Sequence, residues 1–260
     1  MKETITLKDL QTGYRQQTGN KVISNRLNAT LRRGQLTCLI GPNGTGKSTL
    51  LRTIANFQPV LSGDVLLDGR SVSDFSNAEL ARRLSIVLTD NSHIHGLTTF
   101  EVVGMGRSPY TGFWGGLTAE DKEIVERCIE WVGINSVAQQ PFETLSDGER
   151  QKAMIAKAVA QQTDIILLDE PTAFLYYPNK VSVMLMLRQL AHDEVKTVLL
   201  SIHDIDLALQ VADQIWMLEP SGNLISGTPQ QLCDDGTISR SVANDHIDFN
   251  PRLRSFHVKF

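Results

Sequence analysis

The sequence predicts an α/β fold, a sheet core that carries a helical subdomain, and three observations predict it. Short apolar runs at Ile165–Leu168, 197–202 and 215–218 have the length and composition of strands buried on both faces, as in parallel sheets. These runs alternate with segments of helical period, the pattern of an α/β architecture. Between them, residues from about 95 to 160 hold helical periodicity without a strand, which reads as an insertion of helices.

The elements follow in order. Residues 4–10 (Thr-Ile-Thr-Leu-Lys-Asp-Leu) alternate apolar and polar side chains, the period of a half-buried strand. Gly13-Tyr14 and Gly19-Asn20 read as turns, and residues 22–31 as a second strand. Residues 36–40 are a short apolar run between Gly34 and Gly41, which predicts a buried strand. A glycine-rich turn over residues 41–46 follows, then a helix over 47–56. Val65-Leu66-Leu67 before Asp68-Gly69 reads as a strand entering a turn. The clearest helix spans 120–132, where Ile124, Val125, Cys128, Ile129 and Val132 recur on one face. No internal repeat and no low-complexity tract interrupts the chain. A single domain over 1–260 is expected, with its core in about 1–90 and 163–260 and its helical part in about 91–162.

Composition bounds what this domain does. At 260 residues, with 41% hydrophobic and 21% charged side chains, the chain can bury a sizeable core and is not disordered in character. A net charge of −4 gives no electrostatic reason to expect a nucleic-acid partner, although a local basic patch can hide in an acidic total. Cys38, Cys128 and Cys233 are far apart and lack metal-ligand spacing, so they read as buried free thiols in a reducing compartment. No apolar run approaches the ~20 residues that cross a bilayer, and Met-Lys-Glu-Thr-Ile lacks a signal peptide's apolar core. The expectation is a cytosolic chain that needs a separate membrane subunit for any transport role.

Chemistry concentrates in three places. Gly41-Pro42-Asn43-Gly44-Thr45-Gly46-Lys47-Ser48 fits the phosphate-binding pattern G-x-x-x-x-G-K-[ST]. Its glycines let backbone N–H groups converge on phosphate oxygens, and the helix behind adds its dipole. Lys47 would neutralise the β- and γ-phosphates of ATP, and Ser48 would ligate Mg²⁺, with Thr49 completing the binding segment. Next, Ile165-Ile166-Leu167-Leu168-Asp169-Glu170 is a buried strand with two carboxylates at its C-terminal end, where α/β sheets place ligands. Asp169 suits the Mg²⁺ shell, directly or through water, and Glu170 would orient or deprotonate an attacking water. Finally, Leu145-Ser146-Asp147-Gly148-Glu149 opens a helix that runs from Arg150 towards Gln162. Ser146 and Glu149 make a capping box, and a capped, exposed N-terminus is also an anion site.

These segments, in this order, resemble the ATP-binding-cassette (ABC) ATPases: the phosphate loop, LSDGE in place of LSGGQ, ILLDEP, then Ser201-Ile202-His203-Asp204 with its switch histidine. The resemblance covers nearly the whole chain. It implies a phosphate-loop NTPase core with a RecA-like mixed sheet, an antiparallel β subdomain and an inserted helical signature subdomain. It further implies a homodimer in which Ser146, the Gly148 N–H and Glu149 serve the nucleotide of the facing subunit, with His203 sensing the γ-phosphate. Tyr14 matches the family's aromatic residue that stacks on adenine; a half-buried tyrosine at a turn is the other reading.

Two positions depart from the family pattern. The family's Gln, which contacts Mg²⁺ and water, is replaced where Leu88-Thr89 stand, and an aspartate of the inter-subunit contact is Tyr176. Met105-Gly106-Arg107-Ser108-Pro109-Tyr110-Thr111-Gly112, Gly116-Leu117-Thr118-Ala119-Glu120-Asp121 and Phe174-Leu175-Tyr176-Tyr177-Pro178-Asn179-Lys180 look like stretches of the iron-siderophore, haem and vitamin B12 importer ATPases. Gly227-Thr228-Pro229-Gln230-Gln231-Leu232 resembles the tail of many import ATPases. That class implies membrane permease subunits, indirectly a substrate-binding protein, and a place on the cytoplasmic face of the membrane. Gly and Pro there also serve as loop punctuation. A soluble ABC ATPase outside transport, and a slow regulatory ATP-binding module, stay open on the sequence.

Overall fold

The computed structural model describes residues 2–16, 19–88, 94–112, 115–242, 246–251 and 253–258. The chain opens with two long strands, β1 (Glu3–Gln16) and β2 (Gly19–Arg32), paired antiparallel. Gly13 faces Val22, Tyr14 faces Lys21 and Arg15 faces Asn20. The residues expected to turn at Gly13-Tyr14 and Gly19-Asn20 are thus paired strand residues, with a register shift between Thr12 and Gly13. Cross-strand pairing gives each of these residues a ladder partner, and that outweighs glycine's tendency to break a strand.

β3 (Gln35–Ile40), the glycine-rich loop and α1 (Lys47–Ile54) come next. β4 (Ser62–Leu67) and β5 (Arg70–Ser71) complete a four-stranded antiparallel sheet in the order β2-β1-β4-β5. A short helix α2 (Asn77–Ala81) leads to β6 (Leu84–Val87), and three helices follow: α3 (Thr99–Gly104), α4 (Ala119–Val132) and α5 (Asp147–Ala160). The chain then alternates through β7 (Ile165–Leu168), α6 (Tyr177–Asp193), β8 (Thr197–Ser201), α7 (Ile205–Val211), β9 (Gln214–Leu218) and β10 (Leu224–Gly227). Helices α8 (Pro229–Asp234) and α9 (Thr237–Val242) precede a hairpin of β11 (Ile247–Asn250) and β12 (Ser255–Val258).

The second sheet has the order β10-β9-β3-β8-β7-β6 and is parallel except for β10, which runs antiparallel to β9. Its central strands bury both faces, and their side chains divide by period two. Leu36, Cys38 and Ile40 with Ile166, Leu168, Val198 and Leu200 join the core shared with α3 to α7. Leu39, Ile165, Leu167 and Leu199 join the other core, shared with α1 and the antiparallel sheet. All three cysteines are buried and free, and burial pushes the Cys128 thiol up to about 11. Among the described residues, no helix is long and apolar enough to cross a membrane.

The helices α3, α4 and α5 pack on one another around a buried ion pair. Arg107 Nε donates to Asp121 Oδ1 at 2.8 Å, with side chains 6% and 7% exposed. Arg107 Nη1 also donates to the Ala160 carbonyl and to Gln162 Oε1, both at 2.8 Å, at the C-terminal end of α5. Asp121 in turn closes the capping box of α4, accepting from the Thr118 hydroxyl at 2.8 Å. Tyr110 lies under the guanidinium, 4.2 Å from its carbon, and donates its hydroxyl to the Gln161 carbonyl at 3.0 Å. The stretch that resembles importer ATPases therefore has an internal structural task at Arg107, Tyr110, Thr118 and Asp121.

Gly106 lets this knot close. A Cβ there would sit 2.2 Å from the Lys157 carbonyl oxygen. Gly106→Ala is expected to force apart the Met105–Arg107 turn and α5 and to cost about 1–3 kcal/mol, the usual penalty of overpacking. Denaturant unfolding measures it, and an unchanged midpoint would contradict the close approach.

Candidate functional site

The site forms at the C-terminal ends of β3, β7 and β8. After Ile40 the chain curls through the glycine-rich loop. Gly41 and Gly46 have φ of 149° and 100°, where a Cβ would meet the Leu218 carbonyl oxygen at 2.4 Å and Ile23 Cγ2 at 2.3 Å. Only glycine fits either position. Gly44, at φ 80°, has nothing within 4 Å of its Cβ position, so the loop is open there. Thr45 Oγ1 donates to the Pro42 carbonyl at 2.9 Å and braces the curve.

Lys47 folds into its own loop, and its Nζ donates to the Gly41 and Pro42 carbonyls at 2.7 and 3.1 Å. Burial lowers its pKa, against the pull of the Glu170 and Asp169 carboxylates. Ser48, at the start of α1, donates its hydroxyl to Asp169 Oδ1 at 3.0 Å. A hydroxyl and a buried carboxylate that converge on one point are hard oxygen donors, a set that fits Mg²⁺.

Asp169 and Glu170 leave β7 in sequence but face different partners. Asp169 Oδ1 also accepts from the Ser201 hydroxyl at 2.7 Å. Glu170 turns into the left-handed region at φ 52°. Its N–H donates to Ser201 Oγ at 2.9 Å, and its Oε1 lies 2.6 Å from His203 Nε2. Tyr14 stands 43% exposed at the cleft's far end, its hydroxyl 3.0 Å from Thr49 Oγ1. A cleft of about 320 Å³ runs from Tyr14 and Ile23 past Asn43, Gly44 and Lys47 to Glu170. Of the residues expected to bind ATP, Tyr14, Asn43, Gly44, Gly46, Lys47, Ser48 and Thr49 gather here, whereas Gly41 and Pro42 line a neighbouring cavity with His203.

Ser146, Gly148 and Glu149 do not line this cleft. They form the tip of α5. There the Ser146 N–H and hydroxyl donate to Glu149 Oε2 at 2.9 and 2.6 Å, and the Glu149 N–H returns a bond to Ser146 Oγ at 3.4 Å. The Ser146 hydroxyl and N–H hold the Glu149 carboxyl below the usual carboxylate range. A Cβ on Gly148 would lie 3.5 Å from Asn179 Nδ2, so the tips of α5 and α6 adjoin. Tyr176, 78% exposed, occupies the N-cap of α6 without making a capping bond. Thr89 lies outside the described residues.

One functional contact escapes sequence reasoning. Ser201 bridges the two acids, yet it stands 32 and 31 residues from Asp169 and Glu170. A hydroxyl ending an otherwise apolar strand beside β7 is the signal that could have found it.

The ABC transporter family model matches residues 24–173. An uncharacterized ABC transporter ATP-binding protein of Methanocaldococcus jannaschii is 38% identical, over 92% of this chain and 80% of its own. The iron(3+)-hydroxamate import ATP-binding protein of Bacillus subtilis is 34% identical, over 88% of this chain and 84% of its own. A dimeric ATP-binding cassette solved in a post-hydrolysis state with ADP and Pi superimposes with a TM-score of 0.76 at 25% identity, covering 86% of this chain and 98% of that one. Match, relatives and geometry agree that this chain belongs to the ABC transporter family, as an ATP-binding and ATP-hydrolysing cassette.

Proposed function

We propose that this chain powers an ABC importer for an iron chelate or a related cofactor such as haem or cobalamin. The observation that carries the catalytic part is the meeting of Ser48, the adjacent Asp169 and Glu170, and His203, from three segments distant in sequence, at one end of the parallel sheet. The iron(3+)-hydroxamate relative supports the importer class. The chain acts as a single domain whose helical part, about 91–162, meets the permease. It sits on the cytoplasmic face of the membrane with permease subunits, which connect it indirectly to a substrate-binding protein, and no nucleic acid is involved.

Two copies pair head to tail. Gly41 through Thr49 of one copy hold the phosphates of ATP, with Tyr14 against the adenine. Ser146, the Gly148 N–H and Glu149 of the other copy complete the site. Ser48 and Asp169 would hold Mg²⁺, which would supply charge neutralisation on the phosphates. Glu170 orients the attacking water or takes its proton as the oxygen–Pγ bond forms and the bond to ADP breaks. His203, bonded to Glu170, holds that carboxylate in place and senses the γ-phosphate. The bridge between copies exists only while the γ-phosphate does, so hydrolysis opens the pair.

Co-expression with iron-chelate permeases tests the importer role. Copurification with one of them and loss of growth on chelated iron after deletion are expected; neither occurring rejects it. An ATPase outside transport would hydrolyse ATP with no permease to stimulate it, and a regulatory module would release almost no phosphate. Lys47→Ala is expected to weaken ATP binding by tenfold or more, since each lost charge-assisted hydrogen bond is worth about 1.5–3 kcal/mol. Titration with a fluorescent ATP analogue reads this, and an unchanged affinity would contradict the role of Lys47.

A further inference from the structure

We infer that Ser201 is a positioning residue that ties the metal-holding carboxylate to the catalytic one. The inference rests on the roles proposed above for Asp169 and Glu170. Ser201 is fully buried, and its hydroxyl is used in both directions: it donates to Asp169 Oδ1 at 2.7 Å and accepts from the Glu170 N–H at 2.9 Å.

The placement follows from the sheet. β7 and β8 are parallel neighbours with Leu168 opposite Leu200, so Asp169 and Ser201 take the next positions of the same register. An apolar side chain at 201 would leave the Glu170 N–H without this acceptor and remove one donor from Asp169. Both losses matter for function. Glu170 sits at φ 52°, a conformation that a non-glycine residue keeps only when its surroundings enforce it. Its carboxylate reaches His203 from that backbone position. Asp169 Oδ1 is shared between the Ser48 and Ser201 hydroxyls, so Ser201 orients the carboxylate independently of Ser48. Groups that orient a metal-holding carboxylate from behind shift cation affinity or activity by about 10–100-fold when removed.

Ser201→Ala in the full chain tests this by deleting one oxygen atom. Mn²⁺ binding to the chain with ADP, followed by the electron paramagnetic resonance of free Mn²⁺, is expected to weaken about tenfold or more. At saturating Mg²⁺, kcat is expected to fall about tenfold while KM for ATP stays within about twofold. Circular-dichroism melting verifies that the variant is folded. A folded variant with either Mn²⁺ affinity or kcat within about twofold of the parent overturns the inference, because a packing role alone moves neither. The parent chain separates the two levels of the reading. If it binds Mn²⁺ with ADP and the variant matches it, Ser201 alone is misassigned. If the parent shows no such binding, the role of Asp169 falls and the inference falls with it.

Discussion

Glu170→Gln is expected to slow ATP hydrolysis by about 10²–10⁴-fold, the usual worth of a positioned base, while nucleotide binding survives. The substitution preserves size and leaves an amide that can still meet His203, now 2.6 Å from the carboxylate. What it removes is the capacity to hold or accept a water proton. If the γ-phosphate bridges two copies as proposed, blocking its loss should trap the closed pair. Size-exclusion chromatography with ATP is expected to show more dimer for the variant than for the parent, alongside a phosphate-release assay. Equal dimer in both would count against the bridging role, and unimpaired release would count against Glu170.

The largest expected effect on stability belongs to Arg107. Arg107→Ala should cost about 3–5 kcal/mol, because it leaves Asp121 buried without its cation and frees the Ala160 carbonyl and the Gln162 side chain. Urea unfolding measures the loss. The effect has a pH signature. The bond from Arg107, then those from Thr118, hold the Asp121 pKa below its usual value. A depressed carboxylate stabilises the fold fully above its unfolded pKa of about 3.9, and that contribution disappears as pH falls through the lower folded value. The gap between parent and variant should therefore be constant above about pH 5 and shrink below about pH 4. A gap that widens in acid would refute the pairing.

The sequence discloses those parts of the fold that are set by local pattern. β3, β7, β8 and β9 are legible because strands buried on both faces must be apolar throughout, and α4 because Ile124, Cys128 and Val132 repeat on one face. The capping box at Ser146 is legible for the same reason, since its partners lie three residues apart. Helix α6 is harder to see: apolar residues run around it, and Leu185 is half exposed, so no single face stands out. Gly13 misleads because it marks a register shift inside a paired strand and not the end of one, and glycine alone does not tell these apart. Ser201 and the Arg107–Asp121 pair depend on contacts made only once distant segments meet. Their residue types are ordinary, and only tertiary packing gives them meaning. The tip of α5 gains a nucleotide partner only in the proposed pairing with a second copy.

The alternation of the parallel strands has a bearing on evolution as well as on folding. Shifting β8 against β7 by a single residue would send every aliphatic side chain of that strand to the wrong core. The same displacement would carry the Ser201 hydroxyl off both acids. Leucines and isoleucines that never meet a nucleotide thus act as the alignment check for the chemistry, and drift in the polar residues can be tolerated only on a frame that the greasy ones keep in phase.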